Sequence, residues 1–141
     1  MSVELVLIPI GIAAVAARRM ARASSLCERC RATIVADRTL VVEALTVLDW
    51  QILDQGNEFV CARTPWGPSL FRQIGEVYLA RVDGASDEVT LEMIKVFDAA
   101  AGRIAQMRGV QRAMQQATEM GLRLIEQRDE GGQVRLVFEE A

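Results

Sequence analysis

Between Ser86 and Gly121 apolar residues recur at intervals of three and four, at Val89, Met93, Val96 or Phe97, Ala100, Ile104, Met107, Val110 or Gln111, Met114 and Ala117. That spacing lines them along one side of a helix. Ser86-Asp87-Glu88 supplies a start signal and Gly121 a stop, so the sequence predicts one long helix with Gly102 and Gly109 as its soft points. The stripe is read as core, methionines included, because side chains at this spacing are more often buried than displayed. After the stop, Leu122 to Arg128 and Gln133 to Glu139 both alternate apolar with polar residues across Glu130-Gly131-Gly132, which predicts a β-hairpin. Leu122 and Leu124 on one arm, and Val134, Leu136 and Phe138 on the other, then face inward against the long helix.

Upstream the pattern changes. Arg31 to Val35 reads as a short strand, and Asp37 can cap a helix carrying Leu40, Val41, Ala44, Leu45 and Leu48 on one face. Three or four short strands are expected next, among Trp50 to Leu53, Glu58 to Ala62, Ser69 to Gln73 and Glu76 to Val82. They are separated by turn signals at Gln55-Gly56-Asn57, Pro65-Trp66-Gly67-Pro68 and Gly75. The predicted class is α+β: a small antiparallel sheet, a short amphipathic helix, one long helix and a C-terminal hairpin.

The N-terminal segment is the least ordinary stretch. Val3 to Ala17 reads V-E-L-V-L-I-P-I-G-I-A-A-V-A-A and is followed at once by Arg18, Arg19 and Arg22. It is short for a bilayer span, which wants about 20 apolar residues. A secretory signal would carry its cationic region before the apolar run, not after it. Gly11, Ala13, Ala14, Ala16 and Ala17 permit close approach of another helix. Residues 1–23 are therefore expected to form an apolar helix covered by protein, with residues 24–141 as a single α+β domain. A membrane-surface segment with its arginines toward head groups, and a buried strand ended by Pro9, are the alternatives.

Composition narrows the function classes. In 141 residues there is no His, which removes the usual general base, the commonest metal ligand and every Ser-His or Cys-His nucleophile pair. Lys95 is the one lysine, so a Schiff-base or phosphate-clamping lysine would have to come from within a strongly helical stretch. Sixteen basic residues are scattered among nineteen acidic ones for a net charge of −3, without the basic footprint of a nucleic-acid binder. No G-x-G-x-x-G, P-loop, H-E-x-x-H or G-x-S-x-G occurs. The three cysteines are Cys27, Cys30 and Cys61, the first two spaced C-E-R-C. A closed zinc site needs four ligands, and a redox pair is usually followed by a helix, whereas a strand is expected here. The three are read as small apolar residues, with a redox pair or a metal site that borrows a further ligand as the alternatives.

Residues 33–141 also resemble a family. D-R-T-L-V-V-E-A-L-T-V-L-D-W (Asp37 to Trp50), Trp66-Gly67, Gly75-Glu76-Val77-Tyr78 and the ending V-Q-R-A-M-Q-Q-A-T-E-M-G-L-R-L-I-E-Q-R-D-E-G-G-Q-V-R-L-V-F (Val110 to Phe138) are similar to a small family of unknown function. That family includes a hypothetical reading frame 35 of plastids and cyanobacteria. Relatives of this kind accompany AAA+ ATPases of the MoxR type and von Willebrand A-domain proteins. The resemblance implies an accessory role beside such a partner, and it carries over no catalytic residue.

The expectation is a non-catalytic adaptor or assembly component, cytoplasmic, without a cofactor, binding a protein partner or a further copy of itself and not nucleic acid. Leu5, Ile8, Ile12, Val15, Arg18 and Arg19 are its candidate interaction residues. A membrane-associated component held by the N-terminal helix, and a thiol redox or metal-binding protein using the Cys pair, are the alternatives.

Overall fold

Val3, Leu5 and Leu7 alternate with Ser2, Glu4 and Val6, a period of two, and in the computed structural model Ser2–Leu7 is strand β1. The expected apolar N-terminal helix is therefore corrected over these residues. A strand partner is available for all six, and the two-residue period suits pairing where a helical stripe would need a period near 3.6. The structure describes residues 2–7 and 29–141, so the rest of that expected helix lies outside the described residues. The chain divides into two compact units, residues 10–102, and residues 1–9 with 103–141.

The first unit holds β2 (Arg31–Ala32), helix α1 (Arg38–Val47), β3 (Gln51–Gln55), β4 (Phe59–Thr64), β5 (Gly67–Ile74) and β6 (Val77–Val82). The strands pair antiparallel in the order β2-β6-β5-β4-β3; β3 to β6 form the meander that the turn signals imply, and β2 adds to it beside β6. Asp37 caps α1: its backbone is extended and its carboxylate accepts from the Thr39 N–H at 2.9 Å. At the other end Asp49 takes φ 58, and the N–H groups of Asp49 and Trp50 donate back to the carbonyls of Thr46 and Leu45 at 3.1 and 2.9 Å. This double bond pattern is the usual left-handed helix stop, with Asp in the place where Gly is commonest. It turns Trp50 inward, where the ring meets Trp66 edge-on at 5.9 Å.

Helix α2 spans Asp87–Glu119, starting after Ser86 and unbroken at Gly102 and Gly109. In the first unit its buried side carries Met93, Ile94, Phe97, Ala100 and Ala101, and Phe97 packs on Phe71 of β5 at 4.7 Å. Two polar helix side chains there take backbone N–H groups, one at the end of β6 and one in the bend that follows β2. Thr90 Oγ1 accepts from Val82 N at 3.1 Å, and Asp98 Oδ1 accepts from Ile34 N at 3.1 Å. The opposite face of the sheet is packed by Cys30, Ile74, Val77 and Leu79, with Ala32 and Leu70 against them.

The second unit is a three-stranded antiparallel sheet, order β1-β8-β7, with residues 103–119 of α2. Gly121 stops the helix at φ 75, and β7 (Leu122–Glu130) turns through Gly131 and Gly132, at φ 55 and 81, into β8 (Gln133–Glu140). Val110 and Ala117 of the helix pack on Val134, Leu136 and Phe138 of β8, with Leu7, Ala113, Leu122 and Leu124 around them. The inward faces read from the hairpin are thus observed. The even alternation of β7 is not: a register shift between Leu124 and Glu126 leaves Ile125 as an extra, exposed residue. This bulge moves Glu126 and Arg128 to the outer face, where regular alternation would have set them beneath the helix. The long-helix stripe is also corrected. Met107 and Met114 are exposed, because the sheet covers only the side holding Val110, Ala113 and Ala117.

Candidate functional site

A strand at the edge of a sheet presents unpaired N–H and C=O groups, and folded proteins blunt such edges with bulges, charge or shortness. The two sheets have four edges among the described residues. β2 is two residues long. β3 has a register shift between Ile52 and Asp54 that leaves Leu53 unpaired and exposed. β7 is bulged at Ile125 and carries five charged side chains in nine residues. β1 has no bulge and the least charge of the long edges. It pairs with β8 over six consecutive positions without a shift, and Glu4 is its one charged residue.

The register sets the two faces of β1. Val3 lies opposite Phe138, Leu5 opposite Leu136 and Leu7 opposite Val134, so all three share the face that α2 covers. Cover thins toward the edge: Val3 is 48% exposed and Leu5 38%, although their partners on β8 are buried. On the other face Val6 is 40% exposed, and Glu4 pairs with Arg135 at 3.0 Å. That face is otherwise a lattice of surface ion pairs, Arg123 with Glu139 and Arg128 with Glu126 and Glu130. Such pairs contribute little stability but keep the face wetted.

Two helix residues meet the end of β1. Gln106 Nε2 donates to the Leu7 carbonyl at 3.0 Å and to the Gly132 carbonyl at 2.6 Å, tying the end of β1 to the hairpin turn. Gly109 lets Leu7 approach the helix, since a Cβ there would stand 3.2 Å from Leu7 Cδ2. Neither is among the interaction residues that the sequence suggests. A signal exists for Gln106: it lies four, seven and eleven residues before Val110, Ala113 and Ala117, a polar side chain on the covered face of an amphipathic helix.

Of the expected interaction residues, Leu5 is on β1 and partly exposed, while Ile8, Ile12, Val15, Arg18 and Arg19 lie outside the described residues. Cys27 lies outside them as well. Cys30 is buried and disulfide-bonded, and Cys61 is a free thiol on β4, half-buried. Burial pushes the Cys61 thiol above its usual range, helped by the Asp54 and Asp83 carboxylates and opposed by Arg81, so it is a poor nucleophile at neutral pH. Among the described residues no cluster of three His, Cys, Asp or Glu side chains is placed to hold a metal ion.

Two buried polar groups stand apart. The Asp98 carboxyl is raised to about 6 by burial, against the opposing effect of the Ile34 hydrogen bond. The Tyr78 hydroxyl is buried without a hydrogen-bond partner among the described residues. An open pocket of about 330 Å³ lies against Arg29, Ala85, Ser86 and Asp87 at the start of α2, where Arg31 pairs with Asp87 at 2.7 Å.

No family model matches the chain, and neither the curated proteins nor the solved structures give a match. No helix among the described residues is long and apolar enough to cross a membrane.

Proposed function

We propose that the chain is an adaptor or assembly component that holds another protein by strand addition along β1. The observation that carries this reading is the contrast between sheet edges: three are shortened or bulged, and β1 is continuous, largely apolar and, among the described residues, open. In strand addition the main chain supplies affinity and the alternate side-chain positions supply selectivity. Val3 and Leu5 are then the apolar contacts on the helix side, Val6 the contact on the other, and Arg135 with Gln106 keeps β1 straight and seated. The resemblance of residues 33–141 makes an AAA+ ATPase of the MoxR type or a von Willebrand A-domain protein a fitting partner of the assembled chain.

The test uses an extended peptide of alternating valine and threonine with lysines at both ends, titrated into the isotope-labelled full chain. Amide shifts are expected at Ser2–Leu7 and along β8, with the five-stranded sheet unmoved, and Leu5→Lys should abolish them. A saturating excess of peptide that leaves β1 unshifted sinks the reading. Binding of the full chain to anionic vesicles in place of the peptide supports the membrane-associated alternative.

A further inference from the structure

We infer that the strand taken up by β1 is β1 of a second copy of this chain, paired antiparallel about a two-fold axis through Leu5; the inference rests on the reading of β1 as a strand-accepting edge. An edge strand can always pair antiparallel with itself, and a two-fold interface sets the same patch against itself. What selects this partner is the fit of side chains and charge. With Leu5 opposite Leu5 of the second copy, Val3 falls opposite Leu7 and Leu7 opposite Val3. The apolar row under α2, which stops at the exposed Val3 and Leu5, then runs on into the same row of the other copy. Directly opposed residues share a face, so both helices lie on one side of a continuous six-stranded sheet.

The charges select the same register. Centring the axis on Glu4 would set two carboxylates directly across from each other, which destabilises a strand pair. Centring it on Leu5 sets each Glu4 opposite Val6, and each Glu4 keeps its own Arg135 at 3.0 Å. A shift of one residue turns the second helix to the other side and lays the apolar row on Glu4 and Val6. The contact is one six-residue strand pair, small beside the ~1,600 Å² of a standard interface. The dimer is accordingly concentration-dependent.

The experiment is sedimentation velocity on the full chain over a wide concentration series, with circular dichroism on every variant to report the fold. The mass should rise from one copy toward two, and Leu5→Lys should stay at one copy. Val6 carries the register-specific test. Val6→Lys places a cation opposite Glu4 of the second copy and should tighten the dimer roughly two- to fivefold relative to Val6→Thr, and Val6→Glu should loosen it by a similar factor. Within the chain these changes have the opposite sense, because Val6 lies across from Arg135, so a folding defect cannot mimic the result. A chain of one-copy mass at every concentration whose β1 still responds to the valine-threonine peptide overturns self-pairing and leaves strand acceptance standing. One-copy mass with no peptide response overturns both. A dimer indifferent to the charge at residue 6 places the interface elsewhere and overturns the inference.

Discussion

Asp98→Asn should stabilise the protein at neutral pH and have little effect in acid. The carboxyl is half-buried on α2, and its Oδ1 accepts from the Ile34 backbone N–H at 3.1 Å. Burial, the larger influence, raises it from its ordinary 3.8 to about 6. The folded chain therefore holds this proton to higher pH than the unfolded chain does. The favourable contribution of the protonated form is complete below about 3.8 and is lost as pH rises through about 6. At about 1.4 kcal/mol per pH unit, the ionised carboxylate costs the folded state about 3 kcal/mol at pH 7.5, and water reaching the exposed side of the group lowers that figure. Asparagine keeps an oxygen for Ile34 and carries no charge. Urea unfolding of both proteins at pH 4, 5, 6 and 7.5 should show the variant ahead by about 1–3 kcal/mol at pH 7.5, with the gap closing between pH 6 and 4. A gap that stays constant with pH, or a variant less stable at pH 7.5, would refute the burial argument. Asp98→Ala separates the two effects, since it removes the charge and leaves the Ile34 N–H without its acceptor.

Three further outcomes are expected. Phe138→Ala should cost about 3–5 kcal/mol, because Phe138 is buried under α2, whereas Arg135→Ala should cost less than about 1 kcal/mol, because its pair with Glu4 is exposed; chemical denaturation measures both. Tyr78→Phe should be neutral or stabilising by about 1 kcal/mol in the same assay, since the hydroxyl it deletes is buried without a partner among the described residues, and a large loss would mean that the hydroxyl is bonded. Gly121→Ala should cost about 1 kcal/mol from its φ of 75, while Gly109→Ala, in regular helix against the movable end of Leu7, should cost nothing or gain a few tenths; thermal melts would show the split.

Much of this fold is legible in the sequence because local signals agree with one another. Asp37 caps, Gly121 stops, Gly131-Gly132 turns, and the flanking residues carry the period each element needs. The reading fails where the deciding partner is remote. Val3 to Leu7 is apolar enough for a buried helix, and what makes it a strand is β8, more than a hundred residues away. The bulge at Ile125 is invisible to an alternation count, although the pattern hints at it: Leu124 and Ile125 are consecutive apolar residues, and strict alternation would turn Glu126 and Arg128 inward. Met107 and Met114 fit a helical stripe as well as Val110 and Ala117 do, and the sequence does not say how wide a face the sheet can cover. The apolar character of Leu5 marks it as an interaction residue; its place on a sheet edge comes from topology, which no local pattern encodes.

The most direct check on the central claim is amide hydrogen exchange at Ser2–Leu7 in the full chain, measured dilute and concentrated. In an antiparallel pair alternate residues bond to the neighbour and the others point away from it. At low concentration alternate amides of β1 should be slow and the outward ones fast, and the outward ones should slow as concentration rises or when a partner strand is added. Six slow amides at the lowest concentration would mean that the edge is already covered, and six fast ones that β1 is not held on β8; either result contradicts the account.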